Sequence, residues 1–250
     1  MEIEGGTDGT RFPGPRRSAP HLRLPTHPVI VTYGLLILNG LVFVVDTLLN
    51  GRLTQLGALL PAWVGRYGEW WRLILAGFLH ADLLHIGFNL YALYNLGRLL
   101  ERFYGPARTL IVYALSLIGS SALVLLLSSP EIPTVGASGA IMGMLGGLLA
   151  YYWRYQDMLV GGRNYLSRLI RLALINIGIG LLPGISMWGH AGGFLTGLGA
   201  GWALHPRYTY QGGFSPELRE QPLPSMSKLQ VLGILLLEGG MIVLALGWRF

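Results

Sequence analysis

The run from Thr109 to Leu127 carries no charged side chain, and the run from Val29 to Leu49 is broken only by Asp46. Each matches the roughly 20 apolar residues that a helix needs to cross a bilayer. Such runs dictate the class of the chain, and its composition agrees: 250 residues are 52% hydrophobic and 12% charged, about half the charge a soluble domain uses to cover its surface. That balance excludes a water-soluble globule and a disordered chain. With no cysteine, a disulfide-stapled module, thiolate metal sites and thiol nucleophiles are excluded as well. The net charge of +6 is spread singly or in pairs between apolar runs, a pattern of membrane topology and not of nucleic-acid binding. The expected fold is an all-α polytopic membrane helix bundle.

Seven spans can be read: Val29–Leu49, Leu83–Leu96, Thr109–Leu127, Ser138–Trp153, Leu169–Leu182, His190–Leu204 and Leu229–Leu246. The fifth is short and includes Arg171 and Asn176; its arginine reaches back toward an interface. With the N-terminus inside, fourteen Lys and Arg fall on the inner side and four on the outer, the bias expected of cytosolic loops. The sequence thus divides into a disordered cytosolic tail (1–27), a six-helix core (28–204) with an outer loop (50–82), a cytosolic linker (205–228) and a seventh crossing (229–250). The tail lacks the order of a signal peptide and carries acids that a mitochondrial transit peptide avoids. The outer loop's Trp63, Tyr67, Trp70 and Trp71 favour the headgroup region.

Spans two, four and six run in the same direction, so their first turns share the outer half of the membrane. Those turns bring His80, His85 and Asn89, then Gly136, Ala137, Ser138 and Gly139, then Gly189 to Gly193 with His190 among them. Gly139, Gly143 and Gly147 repeat every four residues, as do Gly189, Gly193, Gly197 and Gly201. Small residues at that interval let two helices press backbone to backbone, which sets Ser138 beside His190. The 16 residues from Ser138 to Trp153 rise roughly 24 Å against a hydrocarbon core of about 30 Å. Ser138 therefore sits below the surface, in a hollow open to the outside.

Serine is a weak nucleophile until a base removes its proton, and histidine suits that task. Ser138 is the candidate nucleophile and His190 the candidate base. The start of span four offers backbone N–H groups to a developing oxyanion, and His85 with Asn89, four residues apart, offers side-chain donors. No carboxylate stands near His190 in the sequence, so the arrangement is a dyad and not a triad.

These residues resemble the rhomboid family of intramembrane serine proteases, from the first span through the sixth. The resemblance rests on Trp71 and Arg72; on His80, His85, Phe88 and Asn89 in a His-x4-His-x3-Asn pattern; on Glu101 and Arg102; on the GxSGxxxG pattern from Gly136 through Gly139 to Gly143; and on Gly189 to Gly193. It implies Ser138 and His190 as catalytic residues, an oxyanion hole of His85, Asn89 and the Ser138 backbone N–H, and transmembrane proteins as substrates, cut near the outer end of a helix. It implies no metal and no cofactor. The seventh span resembles the 6+1 branch of the family, and the expected setting is a prokaryotic plasma membrane with the active site toward the outer face. Two positions depart from the family pattern: Met142 stands where many relatives have an aromatic residue against the histidine, and Ser186 and Met187 where many have Asp or Asn.

Taken singly, the same residues read more plainly. Glu101 with Arg102 is a structural ion pair, Arg72 an interface charge or a fastening of the outer loop, His80 a satisfied interfacial histidine, and Trp70, Trp71 and Trp188 interfacial anchors. The alternative function is a proteolytically inactive relative that binds client transmembrane helices. A proton-linked channel or transporter is disfavoured, because below their first turns spans four and six hold mostly Gly, Ala, Leu and Met.

Overall fold

A computed structural model describes residues 26–182, 184–211 and 217–250; the tail expected over residues 1–27 lies outside these except for its last two residues. The chain folds as a helix bundle. Helix α1 is Val31–Leu48, and three short helices, α2 (Arg52–Gly57), α3 (Pro61–Tyr67) and α4 (Arg72–Leu75), make up the segment read above as the outer loop. After a 3₁₀ turn at Ala76–Phe78, helix α5 (Leu83–Ala92) continues through a π turn (Leu93–Gly97) into α6 (Arg98–Tyr104). Then come α7 (Pro106–Leu127), α8 (Ser138–Tyr155), α9 (Gly162–Ile179), α10 (Met187–Leu204), strands β1 (Arg207–Gln211) and β2 (Glu217–Gln221), and α11 (Ser225–Arg249). By length and composition α1, α7 and α11 can each cross a membrane, as can the broken pair Arg72–Phe78 and Leu83–Tyr104, which is bent by 90°.

Six of the expected spans coincide with helices. The fifth is displaced: α9 begins at Gly162, seven residues before Leu169, and ends at Ile179. Gly161, in the left-handed conformation at φ 70°, starts it, and Arg163, Arg168 and Arg171 then lie on the helix itself. A hydropathy window passes over such a segment because its charged heads reach water while the stems stay on the helix. The linker also differs, since β1 and β2 pair as an antiparallel hairpin with Arg207 opposite Gln221. Glu220 on β2 binds Arg108 at 2.6 Å and His27 at 2.9 Å, tying the hairpin to the start of α7.

Helices α7, α8 and α10 form the centre, with α11 against α7 and α10. The glycine stripes meet as expected. A Cβ on Gly201 would stand 2.5 Å from the Gly147 Cα, one on Gly143 would stand 2.9 Å from the Gly193 carbonyl oxygen, and Gly193 and Gly197 abut the backbone of Gly139 and Gly143. At the end of the seam away from Ser138, the buried Tyr104 hydroxyl lies 3.0 Å from the Gly147 carbonyl and 2.9 Å from that of Gly201. A single proton thus joins the two helices.

Glu101 and Arg102 do not form the expected ion pair among the described residues. The Glu101 carboxylate, fully buried, instead accepts from the backbone N–H groups of Ile30 (2.7 Å), Val31 (2.7 Å) and Thr32 (2.8 Å) and from the Thr32 hydroxyl (2.6 Å). These are donors that the first turn of α1 cannot satisfy itself, and a carboxylate there also favours the helix dipole. Glu101→Ala leaves several of them buried and unpaired, so its expected cost is roughly 3 kcal/mol. Thermal unfolding in detergent measures this, and an unchanged midpoint contradicts it.

Arg72 is the fastening of the outer loop. Its guanidinium, 2% exposed, donates to the Ala58 carbonyl at 2.7 Å and the Gln55 carbonyl at 3.2 Å, pairs with Glu69, and stacks over the Trp63 ring at 4.6 Å. Trp70 and Trp71 are half-exposed as anchors should be, Trp71 donating its indole N–H to the Leu56 carbonyl at 2.9 Å.

Candidate active site

Three helix starts converge at one end of the bundle, and they differ in how their first backbone N–H groups are used. Asp82 caps α5, accepting from the His85 N–H at 2.8 Å, and Ser186 caps α10, accepting from the Gly189 N–H at 3.1 Å. Helix α8 begins at Ser138 with no side-chain cap. Its first N–H groups stay available to an anion, where the positive end of the helix dipole also acts. The chain reaches this turn through Gly136 at φ 126°, a backbone conformation that requires glycine, held by its N–H to the Ala76 carbonyl at 2.9 Å.

His85 faces that glycine. A Cβ on Gly136 would stand 2.7 Å from His85 Nε2 and 3.7 Å from Ser138 Oγ, so imidazole and hydroxyl flank one point. The Ala81 backbone N–H donates to His85 Nδ1 at 3.4 Å. Nδ1 is then the lone-pair nitrogen and Nε2 carries the proton. His85 therefore presents a donor to the Ser138 turn.

His190, buried on α10, has the opposite tautomer. Its Nδ1 lies 3.2 Å from the Asn176 carbonyl of α9, and a carbonyl only accepts, so Nδ1 carries the proton and Nε2 keeps the lone pair. A main-chain oxygen thus holds the ring where a triad would use a carboxylate. The sequence holds no sign of this, because any residue at 176 supplies the same carbonyl. The Ser186 cap was legible in principle as a hydroxyl three residues ahead of Gly189.

The first turns of α8 and α10 are neighbours: a Cβ on Gly139 would stand 3.2 Å from the Gly189 carbonyl oxygen. No hydrogen bond joins Ser138 to His190 among the described residues. Asn89 is buried and donates one amide hydrogen to the His85 carbonyl at 2.9 Å, leaving the other. His80 is 4% exposed, lies against the Phe78 backbone and packs edge-on to His85 with centroids 5.2 Å apart, steadying that ring. Met142 is buried in the core face of α8, and Gly193 packs on Gly139.

The Rhomboid domain profile matches residues 67–207. Rhomboid protease GluP of Bacillus subtilis (strain 168) is 40% identical over 139 residues, covering 55% of this chain and 26% of that protein. RHOMBOID-like protein 4 of Arabidopsis thaliana is 34% identical over 142 residues, covering 57% and 36%. Inactive RHOMBOID-like protein 8 of the same plant is 30% identical over 162 residues, covering 64% and 43%. The chain spans less than half the length of these three relatives.

Proposed function

Given that this chain belongs to the rhomboid family, we propose that it is an intramembrane serine endopeptidase that cleaves transmembrane segments of membrane proteins by a Ser138–His190 dyad. The observation that carries the proposal is the pair of backbone contacts to Nδ1 of His190 and of His85 beside an uncapped helix start: a carbonyl on the first leaves its Nε2 the lone pair, and an N–H on the second leaves its Nε2 the proton. One is what a base needs, the other what an oxyanion needs.

His190 Nε2 takes the proton from Ser138 Oγ as that oxygen attacks the scissile carbonyl carbon. The carbonyl electrons move onto oxygen, where the first N–H groups of α8, His85 Nε2–H and the remaining Asn89 N–H stabilise the charge. His190 returns the proton to the leaving amide nitrogen, the C–N bond breaks, and the acyl group stays on Ser138. Water, deprotonated by His190, then releases it. The His190 ring turns cationic twice in each cycle, and the Asn176 carbonyl dipole steadies it both times. The substrate helix unwinds locally to expose the bond near the outer face, the orientation that the loop charges support.

The test is labelling of the purified chain with a fluorophosphonate, mapped by mass spectrometry, beside cleavage of a labelled transmembrane peptide. Modification of Ser138 together with cleavage is expected. A chain that binds the peptide without labelling or cleavage is the inactive client-binding relative. His85→Ala and Asn89→Ala are each expected to lower kcat by up to roughly 10² to 10³ fold, and undiminished turnover takes either residue out of the oxyanion hole.

A further inference from the structure

Helix α11 carries one acidic residue, Glu238, halfway along it and within a stretch, residues 231–248, that has no other charged side chain. Its side chain is 1% exposed, has no cationic partner among the described residues, and meets the Thr196 hydroxyl of α10 as its side-chain hydrogen-bonding neighbour. Burying such a group carries a desolvation cost that a leucine there would not. The carboxylate points into the angle between α7 and α10. A Cβ on Gly119 of α7 would stand 2.8 Å from Glu238 Oε1, and the Thr196 hydroxyl of α10 crowds the same space. Gly119 is thus the notch that admits both groups.

That notch lies one residue from the site's support. A Cβ on Gly192 would stand 2.5 Å from the Gly119 carbonyl oxygen, and the neighbouring Ser120 hydroxyl lies 3.2 Å from the Cβ position of Gly189 and also abuts Gly139. The two turns that carry Ser138 and His190 therefore rest on the stretch of α7 that Glu238 grips from behind. We infer that Glu238 is a positioning residue: with Thr196 in the Gly119 notch, it fixes where α10 sits along α7 and hence where His190 stands relative to Ser138. The inference rests on the dyad reading above.

The test uses the full chain in detergent and compares kcat, KM and the rate of fluorophosphonate acylation of Ser138. Misplacing a catalytic group by a fraction of an ångström to an ångström lowers the chemical step without touching substrate binding, so Glu238→Leu is expected to lower kcat and acylation about tenfold with KM unchanged. Glu238→Gln, which keeps shape and hydrogen bonding, is expected to restore both, and Thr196→Val to reproduce the loss. A Leu variant with wild-type kcat overturns the inference, as does one whose melting point falls while kcat holds. If the Leu variant does not fold, Thr196→Val decides alone, and wild-type kcat there overturns it. A wild-type chain that is never acylated removes the dyad reading instead, whereas normal wild-type acylation with an indifferent Glu238→Leu removes only this one.

Discussion

Changing Ser138 to alanine is expected to lower cleavage of a transmembrane peptide by a factor of about 10⁴ or more, and His190→Ala by a comparable factor. The size follows from what each loss removes. Without the Ser138 oxygen there is no acyl intermediate; without His190 the oxygen keeps its proton at neutral pH, and nothing nearby replaces the base. His85 cannot, because the Ala81 N–H occupies its Nδ1 and its Nε2 already bears a proton. The two losses overlap, so the double variant is expected to be no slower than either single one. Single-turnover cleavage in detergent measures all three. Substantial turnover by Ser138→Ala, or losses that multiply in the double variant, would show that the two side chains do not act as one unit.

Gly197→Val is expected to destabilise the bundle by more than about 3 kcal/mol and to remove most activity with it. The substituted Cβ would meet the backbone of Gly143, which cannot rotate aside as a side chain can. Helices α8 and α10 would have to part, and their first turns with them. Gly199 is the control two residues on, because a Cβ there meets only the Ile234 side chain at 3.7 Å, so Gly199→Ala should melt close to wild type. Thermal unfolding of the two variants in the same detergent checks this, and equal midpoints would mean that the seam does not need its glycines.

The seam was legible in the sequence because it depends on residue type alone: only glycine leaves room for main chain against main chain, and its four-residue interval survives in any register. The long apolar helices were legible for a similar reason. Helix α9 was misplaced because its arginines, at 163, 168 and 171, weigh against lipid in any window average although they sit on one helix. The hairpin of β1 and β2 carries five-residue strands, too short to show alternation between turns. Glu101 was read as a partner for its neighbour Arg102, since adjacency is visible in a sequence and the start of a helix seventy residues earlier is not. The hold on His190 left no trace at all, because the group that supplies it belongs to every amino acid.

The Tyr104 hydroxyl has a mechanical meaning beyond packing. It fastens α8 just past its middle, at Gly147, to α10 three residues from its end, at Gly201, so a relative tilt of the two helices turns about that tyrosine. Displacement grows with distance from a pivot, and Ser138 and His190 stand nine and eleven residues from it along their helices, where a slight tilt gives a large change in their separation. A bundle tied in this way can widen and narrow at its Ser138 end while the contacts near the tyrosine stay intact.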